Sequence, residues 1–365
     1  MTRQAQSNTV SEHTALSLLD RSQGCLLGGA AGDALGAPVE FMHFREIRDR
    51  FGPGGIRDFV PAYRRIGAIT DDTQMTLFTG EGFIRAYTRS AWKGICHPPS
   101  VIHHAYMRWL RTQDVAPKKL NFEIGMDGWL IKIRELWATR APGRTCISAL
   151  RSVSQLGEPA VNNSKGCGGV MRVAPVGIGY DREHAFELGS QSAALTHGHP
   201  SGYLSAGFMA HLIAEIIAGE PLQLSIQKAK LRLKKEAHHD EVLTAIENAE
   251  TLAKSTSPDN GITSLGEGWI AEEALAIAIY CSLSTSSFED AVVMAVNHSG
   301  DSDSTGAITG NLCGALYGTE AVPRRWLKDL ELRDEITLLA TELAAVHDGT
   351  LDLDSDSTSE RYPGW

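Results

Sequence analysis

Two short acidic clusters dominate the chemistry available to this chain: Thr70-Asp71-Asp72-Thr73 and Gly300-Asp301-Ser302-Asp303-Ser304-Thr305-Gly306. Each gathers two carboxylates and neighbouring hydroxyls within a few residues. Ligand sets made only of oxygen suit hard cations such as Mg²⁺, Mn²⁺ or Ca²⁺, and suit zinc or copper poorly. If the fold brings the two clusters together, they form a carboxylate-rich site with room for two ions. Ions in such a pair lie roughly 3.5–4 Å apart, so Asp71, Asp72, Asp301 and Asp303 are expected to converge. Each cluster also has a plainer reading. Thr70 or Asp71 would cap the helix running through Met75, Phe78 and Tyr87. The second cluster could be a solvated turn, although apolar residues flank it on both sides, Ala291 to Val296 and Ala307 to Leu316.

Known loops with a similar spelling do not fit. An EF-hand loop starting at Asp301 needs Glu at its twelfth position, which here is Leu312. The nucleophile loop of aspartate-dependent phosphatases follows a buried strand, whereas Asp301 follows a capped helix and Asn297-His298-Ser299-Gly300.

Three further segments carry polar groups in unusual company. Gly28 to Glu40 is rich in small residues that let helices approach closely, and it places Asp33 and Glu40 among apolar neighbours. An acid in that setting is paired or metal-bound; Asp33 could equally be a cap. Asn162 to Arg172 is a glycine-rich loop whose backbone N–H groups can cradle phosphate oxygens, without Walker-A or Rossmann spacing. Its Cys167 has no adjacent base and reads as a packed thiol. Thr196-His197-Gly198-His199-Pro200 precedes a long helix, and His197 reads as a substrate contact rather than a metal ligand. His103 and His104 have no partner pattern and read as structural or exposed.

Helices must position these groups. Leu204, Phe208, Leu212 and Ile216 step by four, and Gly219 and Pro221 end that run. Val242, Ile246, Ala249 and Ala253 form a second stripe, and Leu332, Ile336, Leu339, Leu343 and Val346 a third, with Gly349 where a C-cap is expected. Ser286 with Glu289 reads as a capping box opening a helix from Phe288 to Val296. Alternating strand patterns are scarce. The reading is a mostly helical single domain over 18–348, with a flexible polar arm over 1–17 and a mobile acidic tail over 349–365 whose Trp365 could dock back.

The 365 residues include 42% hydrophobic and 21% charged side chains and carry a formal net charge of −10, the composition of a globular protein. No basic patch forms, which disfavours nucleic acid as a partner. Cys25, Cys96, Cys146, Cys167, Cys281 and Cys313 are scattered without a CxxC pair, which argues against a zinc site or a disulfide framework. No leader or membrane-spanning pattern is visible. A cytoplasmic protein with no membrane partner is expected.

Taken in order, the motifs resemble the ADP-ribosylglycohydrolase family, which includes the glycohydrolase that reactivates dinitrogenase reductase and the ADP-ribosylarginine hydrolases. The resemblance runs from about Gln23 to Ala321. It rests on Gly32-Asp33-Ala34-Leu35-Gly36 with Glu40, Thr70-Asp71-Asp72-Thr73, Arg140-Ala141-Pro142-Gly143, Gly168 to Pro175, Thr196-His197, Gly266-Glu267-Gly268-Trp269 and Gly300 to Ser304. It implies an orthogonal all-α bundle with a binuclear Mg²⁺ centre, Mn²⁺ being the alternative, at the base of a cleft. By the same likeness Thr70, Asp71, Asp72, Asp301, Asp303 and Ser304 would be ligands; many relatives have Thr in place of Ser304. Asn163, Gly166, Gly168, Gly169, Val170, Met171 and His197 would hold ADP-ribose, and Gly268 and Trp269 would line its nucleotide end. Two ions held by carboxylates can orient ribose hydroxyls and activate water, and nearby carboxylates stabilise an oxocarbenium-like transition state. Catalytic roles fall on Asp303 and Glu40. Some relatives take an acid from the region before the glycine loop, but Arg140 to Gly143 supplies none, leaving Glu40 and Asp127 as candidate proton donors.

The implied activity is removal of ADP-ribose from a protein side chain. Arginine is favoured by the Asp301-to-Gly306 spelling, with serine-linked and O-acetyl ADP-ribose as other substrates of the same chemistry. Some family members act as immunity proteins against ADP-ribosylating toxins. The arm over 1–17 suggests the alternative that it blocks such a toxin, alongside or in place of hydrolysis; a disordered terminus is the plainer reading.

Overall fold

A computed structural model describes residues 16–116, 123–255 and 258–364. It begins with α1 (Leu18–Gly36), α2 (Phe44–Phe51), α3 (Asp71–Lys93) and α4 (Pro98–Thr112). The middle of the chain forms α5 (Arg144–Arg151), α6 (Ala174–Gly179), α7 (Arg182–Ala194), α8 (Pro200–Ile217) and α9 (Leu222–Leu233). There follow α10 (Asp240–Ser255), α11 (Pro258–Leu265), α12 (Ala271–Ser284), α13 (Phe288–Val296) and α14 (Ser302–Tyr317). The chain closes with α15 (Arg324–Asp329), α16 (Arg333–His347) and α17 (Asp356–Arg361). Among the described residues the only β-type pairings are two isolated bridges, Ala62 with Arg65 and Gly166 with Ile270. The all-α class expected from the sequence is therefore what the structure has. No helix among the described residues is long and apolar enough to cross a membrane.

The centre of the molecule is the antiparallel pair α1 and α14. Residues 24–36 of α1 and 302–315 of α14 are buried, so over these stretches neither helix has a solvent face. A helix buried on all sides needs small residues where it meets another backbone. A methyl group added at Gly24, Gly28, Gly32 or Gly36 would collide with the carbonyl oxygen of Gly314, Gly310, Gly306 or Ser302 respectively. These four contacts recur every fourth residue in both helices and form a ladder along the shared axis. Around the pair pack α3, α8, α12, α13 and α16. The three apolar stripes read from the sequence lie on α8, α10 and α16, with Gly349 (φ 73°) just past the end of α16.

Two local expectations shift. Helix α13 does start at Phe288, but its cap is Ser287 rather than Ser286. Ser287 Oγ accepts from Asp290 N at 3.1 Å and donates to Asp290 Oδ2 at 2.7 Å. At this helix start the Ser-x-x-acid pattern is spelled in two registers one residue apart, and the one used places buried Phe288 directly after the cap. Leu332 serves as the N-cap of α16 in the left-handed region (φ 55°) instead of its first helical residue.

The tail read as mobile folds back onto the body. Tyr362 is fully buried, its hydroxyl donates to Glu342, Arg361 pairs with the same carboxylate, and Trp129 meets the Tyr362 ring edge-on. The polar run before it concealed a short helix and one anchoring aromatic. Trp365 lies outside the described residues, as does the expected arm except for Leu16 and Ser17; Ser17 Oγ caps α1 by accepting from Asp20 N at 3.1 Å.

Candidate active site

Helix ends assemble the carboxylates. Thr70 caps α3, accepting from Asp72 N at 3.3 Å, so Asp71 and Asp72 fall in the first turn, both almost fully buried. Acidic side chains are favoured there by the partial positive charge of a helix N-terminus. Asp301 precedes α14 and Asp303 occupies its first turn, where Ser304 N donates to Asp303 Oδ1 at 2.9 Å. The turn into α14 is fixed by Gly300 (φ 131°), packed against Glu267, and by Asp301 N donating to Glu267 O at 2.8 Å. Near the C-terminal end of α1, Asp33 accepts from Thr70 N and Thr73 N and from the Thr73 hydroxyl. It therefore caps α3 from a neighbouring helix. The turn after α1 carries Glu40, and one oxygen each from Glu40, Asp301 and Asp303 lie within 4.8 Å of one another.

This concentration of acid has no basic partner among its strongest influences. Burial raises the Glu40 carboxyl to about 10, reinforced by Asp303, Asp301, Asp71 and Asp33. Burial and then Asp303 raise Asp33 to about 7. Asp71, Asp72 and Asp301 are all raised by burial and then by Asp303. Asp72 Oδ2 and Glu40 Oε2 are buried without a hydrogen-bond partner. Orphaned carboxylate oxygens in a buried acidic cluster require a cation or protons. The donors are nearly all oxygen, which fits Mg²⁺ or Mn²⁺. One sulfur lies among them: Cys167 Sγ is 2.8 Å from Asp301 Oδ2, and burial first, then Asp301 and Asp72, raise its thiol.

The carboxylates form the floor of a cleft of about 560 Å³. Of the residues read from the sequence, Glu40, Asp71, Asp72, Gly166, Gly168, Met171, His197, Trp269, Asp301, Asp303 and Ser304 line it. A groove of about 610 Å³ between α2, α11 and α13 is slightly larger, but it contains none of these carboxylates. The glycine loop passes through a single 3₁₀ turn at Cys167–Gly169, tied to the opposite segment by Cys167 N donating to Trp269 O at 3.2 Å. His197 is buried against this loop, and its Nδ1 shares a 2.8 Å hydrogen bond with Thr196 Oγ1. Burial, then Arg172, lowers its pKa to about 3.

Several expected contacts fall elsewhere. Gly169 packs against Ala193 behind the loop, Val170 is buried beside it, and Asn163 is exposed away from the cleft lining. Gly268 (φ 83°) sits next to Asp301 and Thr305 and positions Trp269 without lining the cleft itself. Thr70 is fully buried and bonds to Asp303, below the cleft surface. Asp127 is a correction. It pairs with Arg85 at 3.0 Å, and Arg85 is fourteen residues along α3 from Asp71, a rise of about 21 Å. His103 Nδ1 and His104 Nε2 accept from Gly157 N and Gly125 N at 3.1 and 3.0 Å, so both are structural.

The structure also adds residues. Gly143 N donates to Asp71 Oδ2 at 3.1 Å. Arg140 donates to Ile69 O at 2.8 Å and pairs with buried Glu331, which itself accepts from Ile69 N, so the pair clamps the entry to α3. Phe41 and Arg144 line the cleft. The Arg140-to-Gly143 motif signalled that this loop mattered; nothing in the sequence pointed to Glu331 or Phe41.

The fold and site together define an all-helical protein that gathers acidic helix N-termini beneath a glycine loop, at the bottom of a substrate-sized cleft. The chain belongs to the ADP-ribosylglycohydrolase family, whose model matches residues 14–351. ADP-ribosyl-dinitrogen reductase glycohydrolase of Rhodospirillum rubrum is 27% identical over 334 residues, 88% of this chain and 94% of that protein. ADP-ribosylarginine hydrolase of Serratia proteamaculans is 24% identical over 344 residues, 89% and 79% of the two chains. A solved structure, an ADP-ribosylglycohydrolase-related protein complex, is 25% identical with a TM-score of 0.65, covering 91% of this chain and 99% of that one.

Proposed function

We propose that this protein hydrolyses the N-glycosidic bond between ADP-ribose and an arginine side chain of a modified protein, using two divalent cations. The observation carrying the reading is the meeting of Glu40, Asp301 and Asp303 within 4.8 Å, in the cleft that Asp71 and Asp72 also line. Asp71, Asp72, Asp301, Asp303 and Ser304, with Thr70 behind them, would hold Mg²⁺ or Mn²⁺. Bound there, the ions would act as Lewis acids toward the ribose hydroxyls and would acidify water.

The chain's own groups divide the remaining tasks. The Gly166–Gly168 backbone and Arg144 offer donors and positive charge to the diphosphate. His197, neutral in its buried setting, contacts the sugar-nucleotide without competing for cations. The carboxylates oppose positive charge developing at the anomeric carbon. Of the two proton-donor candidates only Glu40 lies in the cleft, so it serves the departing nitrogen. The arginine preference draws support from the Serratia relative's name and from the cleft's acidity, which favours a cationic leaving side chain.

The test is release of free ADP-ribose from an ADP-ribosylarginine peptide in Mg²⁺ and in EDTA. Release in Mg²⁺ is expected, abolished by EDTA and by Asp303→Ala. Release surviving both treatments would refute the two-cation mechanism.

A further inference from the structure

Phe41 is 74% exposed and Trp269 40%, yet both line the cleft that holds the carboxylates. Their rings stack with centroids 6.0 Å apart and planes 17° from parallel. Single exposed aromatics are common on protein surfaces; a stacked pair at the rim of an acidic cleft is a built feature. The two halves are held differently. Trp269 is anchored, its carbonyl accepting from Cys167 N and its indole Nε1 donating to Glu267 Oε2, each at 3.2 Å. Phe41 stands on the turn leaving α1 and its ring is mostly in solvent.

We propose that Phe41 and Trp269 form the subsite for the guanidinium of the modified arginine, the leaving group of the reaction, in place of the nucleotide-end role that the family resemblance implies for Trp269; this rests on the hydrolase reading above. Three observations argue for a planar cation. Aromatic faces attract guanidinium within about 6 Å of the ring centroid, and arginine stacks flat on them. Carboxylates adjoin the pair: Glu40 is Phe41's neighbour in the chain and Glu267 touches the indole. Position gives the third. Adenine is separated from the scissile carbon by two riboses and a diphosphate, so rings adjoining Glu40, which belongs to the acidic centre, are on the side of the departing side chain. A planar group sandwiched between the rings needs about 7–8 Å, twice the usual carbon–carbon contact. The guanidinium therefore stacks on the outer face of Phe41 or displaces that exposed ring while Trp269 stays fixed.

The test pairs two readouts on Phe41→Leu, Trp269→Leu and the conservative Phe41→Tyr: kcat/KM for an ADP-ribosylarginine peptide, and the Kd for free ADP-ribose by calorimetry. In the two leucine variants kcat/KM should fall about 2- to 30-fold, while ADP-ribose binds as before; Phe41→Tyr should retain activity. Phe41 is exposed, so folding is not at stake in its variants. Unchanged kcat/KM in both leucine variants would overturn the subsite. A parallel loss of ADP-ribose affinity would also overturn it, by assigning the rings to adenine. Absence of turnover by the unaltered protein would instead overturn the hydrolase reading, and this inference with it.

Discussion

Asp303 is the hub of the centre: its charge acts on Asp33, Glu40, Asp71, Asp72 and Asp301. Replacing it with Asn keeps the oxygen that accepts from Ser304 N but removes the repulsion. Asp303→Asn should therefore melt at a higher temperature than the parent in EDTA while ADP-ribose release falls by roughly 10²–10³-fold; thermal melts and product assays read the two effects. His197 supplies a pH test. Its pKa is about 3 when folded against about 6.5 when unfolded. Between those values the unfolded chain binds the extra proton, so this group's stabilisation is intact above pH 6.5 and lost as pH falls toward 3. His197→Gln should lack that loss, so the parent's advantage over the variant shrinks between pH 7 and 4.5 in paired thermal melts. At this scale the donors were legible because hard ligands crowd within a few residues of one another. Asp127 misled because its partner, Arg85, is set by tertiary packing that no local pattern encodes.

Helix contacts fix where these side chains go. In α1 and α14 the glycines recur every fourth residue, a spacing visible in the sequence as a cue for close approach. That they face each other is not visible, since the two helices come from opposite ends of the chain. Gly310→Ala would drive a methyl into the Gly28 carbonyl. The expected cost is about 1–3 kcal/mol from overpacking, measured by urea denaturation, together with weakened Mg²⁺ binding by calorimetry because both helices carry carboxylates. The capping of α13 shows the opposite limit: the sequence names the cap motif in two registers one residue apart, and the local pattern alone does not choose between them.

The whole molecule is closed by contacts that composition hides. A run of Asp, Ser and Thr reads as a solvated tail, yet Tyr362 behind it is fully buried and shares Glu342 with Arg361. Tyr362→Ala should cost about 3–5 kcal/mol, seen as a lower urea midpoint. The fold class was legible from periodic apolar stripes, while these closing contacts depend on single residues. The ladder between α1 and α14 sets a tolerance on the entire assembly. Its rungs repeat every four residues, so the helices mesh only at settings about 6 Å apart along their axis. A slip of one notch would carry Asp303 beyond reach of Glu40 and Asp33. The spacing of the acidic centre is thus indexed rather than adjustable: small strains elsewhere in the bundle cannot make it creep, and it is either in gear or lost.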